Sequence, residues 1–185
     1  MRRHHVCPVW VGYLLANPVR ALFQDPKKIL GPHIAPGMRV LDIGCAMGFF
    51  SLPLARLVGP GGRVVCVDLQ QTMLDSLARR ARRAHLLDRI EIRRCDAGSL
   101  RIPDLHDQIH FALLFAVLHE VDNGARLFTE VHDALRPSGR VLFAEPKGHV
   151  PRNAFDESVS VAERSGLRKI DGLRIPWSHA ALLET

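Results

Sequence analysis

The sequence predicts an α/β fold, an open and mostly parallel sheet with helices on both faces, and three observations lead to that prediction. Short apolar, β-prone runs alternate with amphipathic stretches of helix length through most of the chain. Each early run is followed by a glycine-bearing loop or turn and then a helix start, the order a parallel sheet needs for its crossover connections. Aspartates close or nearly close three of the runs, Asp42, Asp68 and Asp96, at even spacing.

The element around which the rest is organised runs from Met38 to Ile43 and continues into Gly44-Cys45-Ala46-Met47-Gly48. The run is apolar enough for a parallel strand buried on both faces. In an open α/β sheet ligands bind beyond the carboxyl ends of the strands, and small loop residues let the backbone approach them closely. The loop therefore reads as a binding edge for a nucleoside cofactor. Phe50 to Val58 is the helix that follows, stopped by Gly59-Pro60-Gly61-Gly62. Arg63 to Asp68 is the second strand, and its terminal carboxylate lies about twenty residues beyond the loop, where an acid accepts both ribose hydroxyls in a βαβ unit.

A helix from Gln70 to about Leu86 leads to a third strand, Ile90 to Ala97, which contains Asp96. Gln108 to Phe115 is the fourth strand, with Ala116 to Val121 just past its carboxyl end. Ala125 to Leu135 reads as an amphipathic helix with Leu127, Phe128, Val131 and Leu135 on one stripe. Pro137-Ser138-Gly139 turns it into a fifth strand, Arg140 to Glu145. A helix around Phe155 to Arg164 and two strand-like stretches, Leu167 to Leu173 and Ser178 to Glu184, complete the chain.

Composition bounds the remaining possibilities. The 185 residues, 47% of them hydrophobic, suffice for one buried core. No apolar run is long enough to span a bilayer, and the basic start Met1-Arg2-Arg3-His4-His5 is not followed by a signal-peptide core, so a cytoplasmic location is expected. Cys7, Cys45, Cys66 and Cys95 lack CxxC spacing and are expected to be reduced thiols. The net charge of +6 raises the question of nucleic acid. Arg79, Arg80, Arg82 and Arg83 cover more than one side of their helix, however, and no aromatic residues interleave with them, so they read as a solvated face. No histidine and cysteine pairing has the spacing of a structural zinc site, and no metal is expected.

The stretches DIGCAMGFFS, VVCVDLQ, RCDAGSL, FAVLHEV and LRPSGRVLFAEP resemble the successive motifs of class I S-adenosylmethionine-dependent methyltransferases, over roughly Ile29 to the C-terminus. The resemblance implies a Rossmann-like sheet of seven strands, mostly parallel, with the last strand antiparallel. It implies S-adenosyl-L-methionine as cofactor and methyl transfer by in-line displacement. Asp42 would orient the cofactor's amino group, Gly44, Cys45 and Gly48 would line its methionine portion, and the Phe115 carbonyl would accept from the amino group. Asp68 would take the ribose hydroxyls, Leu69 and Met73 would contact adenine, and Asp96 with the Ala97 amide would read the adenine edge; a place in the core is the alternative for Met73. The chain departs from the family's E/DxGxGxG pattern at Ala46, which bears on cofactor affinity more than on fold.

His119 and Glu120 are the candidate catalytic residues for the acceptor, since they follow the fourth strand at the mouth of the crevice and an imidazole can move a proton near neutral pH. Glu145 and His149 could line the same pocket. Residues 1–36 are expected to form a helical cap, with Trp10, Tyr13 and Phe23 in a lid or else packed on the sheet edge or another subunit; residues 37–185 form the cofactor-binding domain. The expected partner is a small-molecule methyl acceptor, with a homodimer left open. An RNA methyltransferase and a non-catalytic S-adenosylmethionine-binding or scaffold protein are the alternatives. A nicotinamide dehydrogenase is disfavoured because GxGxxG spacing from Gly44 would require glycine where Ala46 and Phe49 stand.

Overall fold

A computed structural model describes residues 24–185 of the protein, and the proposed lid residues Trp10, Tyr13 and Phe23 lie outside the described residues. Its strands are β1 (Arg39–Ile43), β2 (Arg63–Asp68), β3 (Ile90–Arg94), β4 (Ile109–Phe115), β5 (Leu135–Pro146), β6 (Arg168–Asp171) and β7 (Ser178–Glu184). The helices are α1 (Pro26–Leu30), α2 (Ser51–Leu57), α3 (Gln71–Arg83), α4 (Gly124–Ala134) and α5 (Arg152–Arg164). The seven strands form one sheet in the order β3-β2-β1-β4-β5-β7-β6. β7 alone runs against its neighbours, antiparallel to both β5 and β6, as the resemblance implied. The strand order reverses between β1 and β4, which opens a crevice at their carboxyl ends.

Side chains of the strands divide between two cores. On one face Leu41, Val65, Ala112 and Phe143 pack with Leu127, Phe128 and Val131 of α4 and Phe155 and Val159 of α5. On the other, Val40, Val64, Cys66 and Leu113 pack with Leu54 and Ala55 of α2 and Leu74, Leu77 and Ala81 of α3. Each fully buried leucine or phenylalanine contributes about 1.5–3 kcal/mol relative to an exposed one, so both layers hold the sheet to its helices. Leu30 of α1 is fully buried in the second core. Capping fixes two helix starts: Asp25 accepts the Lys27 N–H at α1, and Asn123 accepts the Arg126 N–H at α4. Among the described residues no helix is long and apolar enough to cross a membrane.

Two strand ends differ from the sequence reading by more than two residues. β3 stops at Arg94 because the Asp96 N–H bonds the Ser99 carbonyl in a turn, taking it off the β2 ladder. β5 begins at Leu135, opposite Ile109, before the expected turn. Pro137-Ser138-Gly139 lies inside the strand as an irregularity: the register jumps from Ile109 opposite Leu135 to Phe111 opposite Arg140, and Ser138 takes a φ of +62°.

Candidate active site

Backbone geometry makes the loop after β1 a binding edge. Gly44 and Gly48 have φ of +66° and +85°, conformations a side chain disfavours. A Cβ at Gly44 would stand 2.3 Å from Val117 in the turn after β4, so glycine lets the two strand exits meet. A Cβ at Gly48 would meet Leu77 of α3 at 2.4 Å. Between them Ala46, also left-handed at +46°, donates its N–H to Asp68 Oδ2 at 2.9 Å. Arg80 of α3 donates to the Met47 carbonyl at 2.6 Å, so one arginine of the run read as a solvated face braces the loop.

The cleft between this loop, the β2 exit and the turns after β3 and β4 collects most of the predicted site residues. Asp42, Gly44, Cys45, Asp68, Leu69, Met73, Asp96, Ala97, Phe115 and Glu120 all line it; Gly48 and His119 do not. Gly48 is taken up in packing against Leu77. Phe49 and Phe50 join Phe115 in an aromatic wall, with Phe50 4.7 Å from Phe115 and edge-on to Phe49 at 4.9 Å. Glu130 reaches the cleft from α4 and accepts the Leu100 N–H at 2.6 Å. Sequence reading missed both features. A phenylalanine pair after a glycine loop and a lone glutamate on a helix carry no spacing signal that separates site from core.

Two buried carboxylates dominate the electrostatics. Asp42 is 3% exposed and, among the described residues, accepts the Ser51 hydroxyl alone, at 2.5 Å. Burial, with Asp68 adding repulsion, pushes its pKa up to about 7. Asp68 accepts the N–H groups of Gln70 and Ala46, which hold its pKa down, yet burial outweighs them and raises it. Neither pairs with a cation among the described residues, and a carboxylate has about four lone-pair sites, so each retains acceptor capacity toward the cleft. Asp96 is turned to solvent in an ion pair with Arg101, an exposed contact of about 0–1 kcal/mol that a ligand can displace. Burial raises the thiol pKa of Cys45 well above its ordinary value and that of Cys95 to about 11, so neither is a ready nucleophile.

At the exit of β4 Glu145, 1% exposed at the end of β5, accepts the N–H groups of Val117 and Leu118 and bonds His119 Nδ1. It therefore fixes the turn after β4 instead of lining the cleft. The Glu145 hydrogen bond raises the His119 pKa against the opposing effect of burial. His119 Nε2 lies 3.9 Å from Glu120, and the His149 ring is 5.7 Å from the His119 ring.

The fit of an adenosylated sulfonium to this cleft follows from its charges and shape. A buried, cation-free carboxylate at Asp42 suits an ammonium group, and aromatic faces at Phe50 and Phe115 favour a positive centre. Asp68 has lone pairs left for vicinal hydroxyls.

Comparison with known proteins agrees with this geometry. Residues 40–139 match the methyltransferase domain family. A ubiquinone/menaquinone biosynthesis C-methyltransferase of Pseudomonas putida is 34% identical over 132 residues, 66% of this chain and 48% of that protein. An uncharacterised 37.1 kDa transposon protein of Streptomyces fradiae is 34% identical over 111 residues, 60% of this chain and 31% of that protein. The chain thus spans about half the length, or less, of these curated relatives. A crystal structure of an S-adenosylmethionine-dependent methyltransferase from Aquifex aeolicus superposes with a TM-score of 0.84 at 19% identity, covering 97% of this chain and 98% of that one. With fold, motifs and a domain match over more than half its length in agreement, the chain belongs to the class I S-adenosylmethionine-dependent methyltransferase family.

Proposed function

We propose that the protein transfers a methyl group from S-adenosylmethionine to a small-molecule acceptor by in-line displacement. The observation that carries this reading is the pair of buried carboxylates, Asp42 and Asp68, facing one cleft at the β1/β4 switch point without a cationic partner among the described residues. When bound, S-adenosylmethionine supplies an already electrophilic methyl group, so the protein's task is to bind, align and exclude water.

Asp42 receives the cofactor's amino group, helped by the Phe115 carbonyl, and Asp68 accepts the ribose hydroxyls with the lone pairs left after Ala46 and Gln70. The backbone at Gly44 and Cys45 borders the methionine portion. Leu69 and Met73 pack on the adenine, whose edge is read by the Ala97 N–H and by Asp96 once it leaves Arg101. Phe49, Phe50 and Phe115 keep the reacting end dry, which strengthens every electrostatic contact there. Glu120, on the cleft wall, faces the acceptor and takes its proton where one is lost. His119, held by Glu145, acts as a positioning residue through its contact with Glu120.

Calorimetric titration with S-adenosylmethionine and its demethylated product, followed by a radiolabelled methyl screen against small metabolites, tests the proposal. Expected are saturable cofactor binding that Asp68→Asn weakens by about tenfold or more, and label in at least one metabolite. Absence of cofactor binding would remove the reading; label appearing only in RNA would replace the acceptor class.

A further inference from the structure

A second concavity lies at the same carboxyl edge of the sheet, where the exit of β5, the start of α5 and the β6–β7 connection meet. Its wall carries Lys147, Arg152, Lys169, Arg174 and His179, and its volume is about 530 Å³, inside the ~300–1,000 Å³ range of small-molecule sites. These basic groups arrive from separate elements, so no single helix face or sequence run explains their convergence.

Counter-charge is scarce. Arg152 donates through Nε to Asp156 at 2.9 Å, whereas Lys147, Lys169 and Arg174 form no ion pair among the described residues. The nearby Asp171 accepts the Gly172 N–H at 2.7 Å. Gln24 donates to the Pro176 carbonyl on the rim. Burial and the charges of Arg152 and Lys147 hold the His179 pKa below its ordinary value, with Asp156 opposing. Like charges gathered in one hollow focus a positive potential that an anion relieves.

We infer that this groove is an anion subsite that takes a phosphate or diphosphate group, and that the group belongs to the methyl acceptor. The second half of that statement rests on the methyl-transfer reading. The groove and the cleft are neighbours along the β5 exit. Lys147 follows Glu145 by two residues, and Glu145 fixes the turn that carries Glu120; His149, between Lys147 and Arg152 in sequence, sets its ring beside that of His119. An acceptor with its anion in the groove would thus extend along the β5 exit toward Glu120. A small ligand is favoured over a nucleic-acid strand because the cations converge in a hollow and, among the described residues, its wall carries no Phe, Tyr or Trp on which bases could stack. Trp177, between two lining residues, is not part of the wall.

The test is titration of the full chain with inorganic diphosphate at constant ionic strength, with S-adenosylhomocysteine affinity measured in parallel. Diphosphate is expected to bind saturably, and Lys169→Ala/Arg174→Ala is expected to weaken it by about tenfold, with Lys147→Ala smaller in effect. S-adenosylhomocysteine affinity should be unchanged in both variants, which also establishes that they fold. Absence of saturable binding, or a double variant that binds diphosphate like the parent chain, overturns the subsite. So does an RNA oligonucleotide that binds with a steep salt dependence and is not competed by diphosphate. Diphosphate binding without any S-adenosylhomocysteine binding would overturn the link to a methyl acceptor while leaving the anion groove in place.

Discussion

Asp68 accepts the backbone N–H of Ala46 at 2.9 Å and thereby holds an alanine in the left-handed region, at φ +46°. A strand-end acid and a loop residue twenty-two positions apart are locked together at the mouth of the cleft. Alanine stands where the family pattern has glycine, and the hydrogen bond offsets part of its conformational penalty.

Ala46→Gly should therefore stabilise the fold by about 0.5–1 kcal/mol, the left-handed penalty of about 1–2 kcal/mol less the greater freedom of glycine in the unfolded chain. Urea unfolding would read this as a higher midpoint at unchanged slope. Equal or lower stability would mean that the alanine is not strained.

Asp42 predicts a pH dependence of stability. With its pKa near 7 in the folded chain and about 3.9 unfolded, the folded state holds more proton between about pH 4 and pH 7. Stability from this group consequently falls as pH rises across that window. Asp42→Asn should flatten the fall and raise stability at about pH 8 by on the order of 1–3 kcal/mol, while weakening S-adenosylmethionine binding. Denaturant unfolding at about pH 5 and about pH 8, with calorimetry beside it, separates the two effects.

His119 behaves as a base whose folded pKa is raised by Glu145. Its contribution to stability is full below about pH 6.5, the unfolded value, and is lost as pH rises through the higher folded value. Glu145→Gln should abolish that loss and also loosen the turn at Val117 and Leu118. His119→Ala should lower turnover more than it lowers cofactor affinity. An unchanged turnover on the true acceptor would remove His119 from the acceptor side.

Gly44→Ala should cost about 1–3 kcal/mol, from the Val117 overlap and from its positive φ together. Val117→Ala in the same chain should recover the overlap but not the backbone penalty. Thermal unfolding of the single and double variants checks this, and full recovery would show that φ at this position carries no penalty.

The cofactor half was legible in the sequence because its positions are set locally. A strand ending near an acid, followed by a small-residue loop, fixes where Asp42, Gly44 and Asp68 lie to within a turn. Asp96 was harder: its place in the chain was visible, but its turn with Ser99 and its pairing with Arg101 depend on a reversal that local pattern does not encode. Glu145 was seen at its strand end, yet its role in fastening the turn after β4 comes from a contact across twenty-seven positions. Gly48 read as a ligand contact because glycine spacing cannot distinguish room for a cofactor from room for Leu77. The basic groove escaped for a similar reason, since its cations are dispersed along the chain and only the antiparallel return of β7 gathers them.

The fastening at Glu145 has a mechanical corollary. The segment matching the domain family ends at 139, so the anchor of the turn after β4 is supplied by the adjacent strand β5 from beyond the matched segment. Rebuilding the final quarter of the polypeptide would re-aim Glu120 while leaving the loop after β1 untouched, which makes the two halves of the cleft separately tunable.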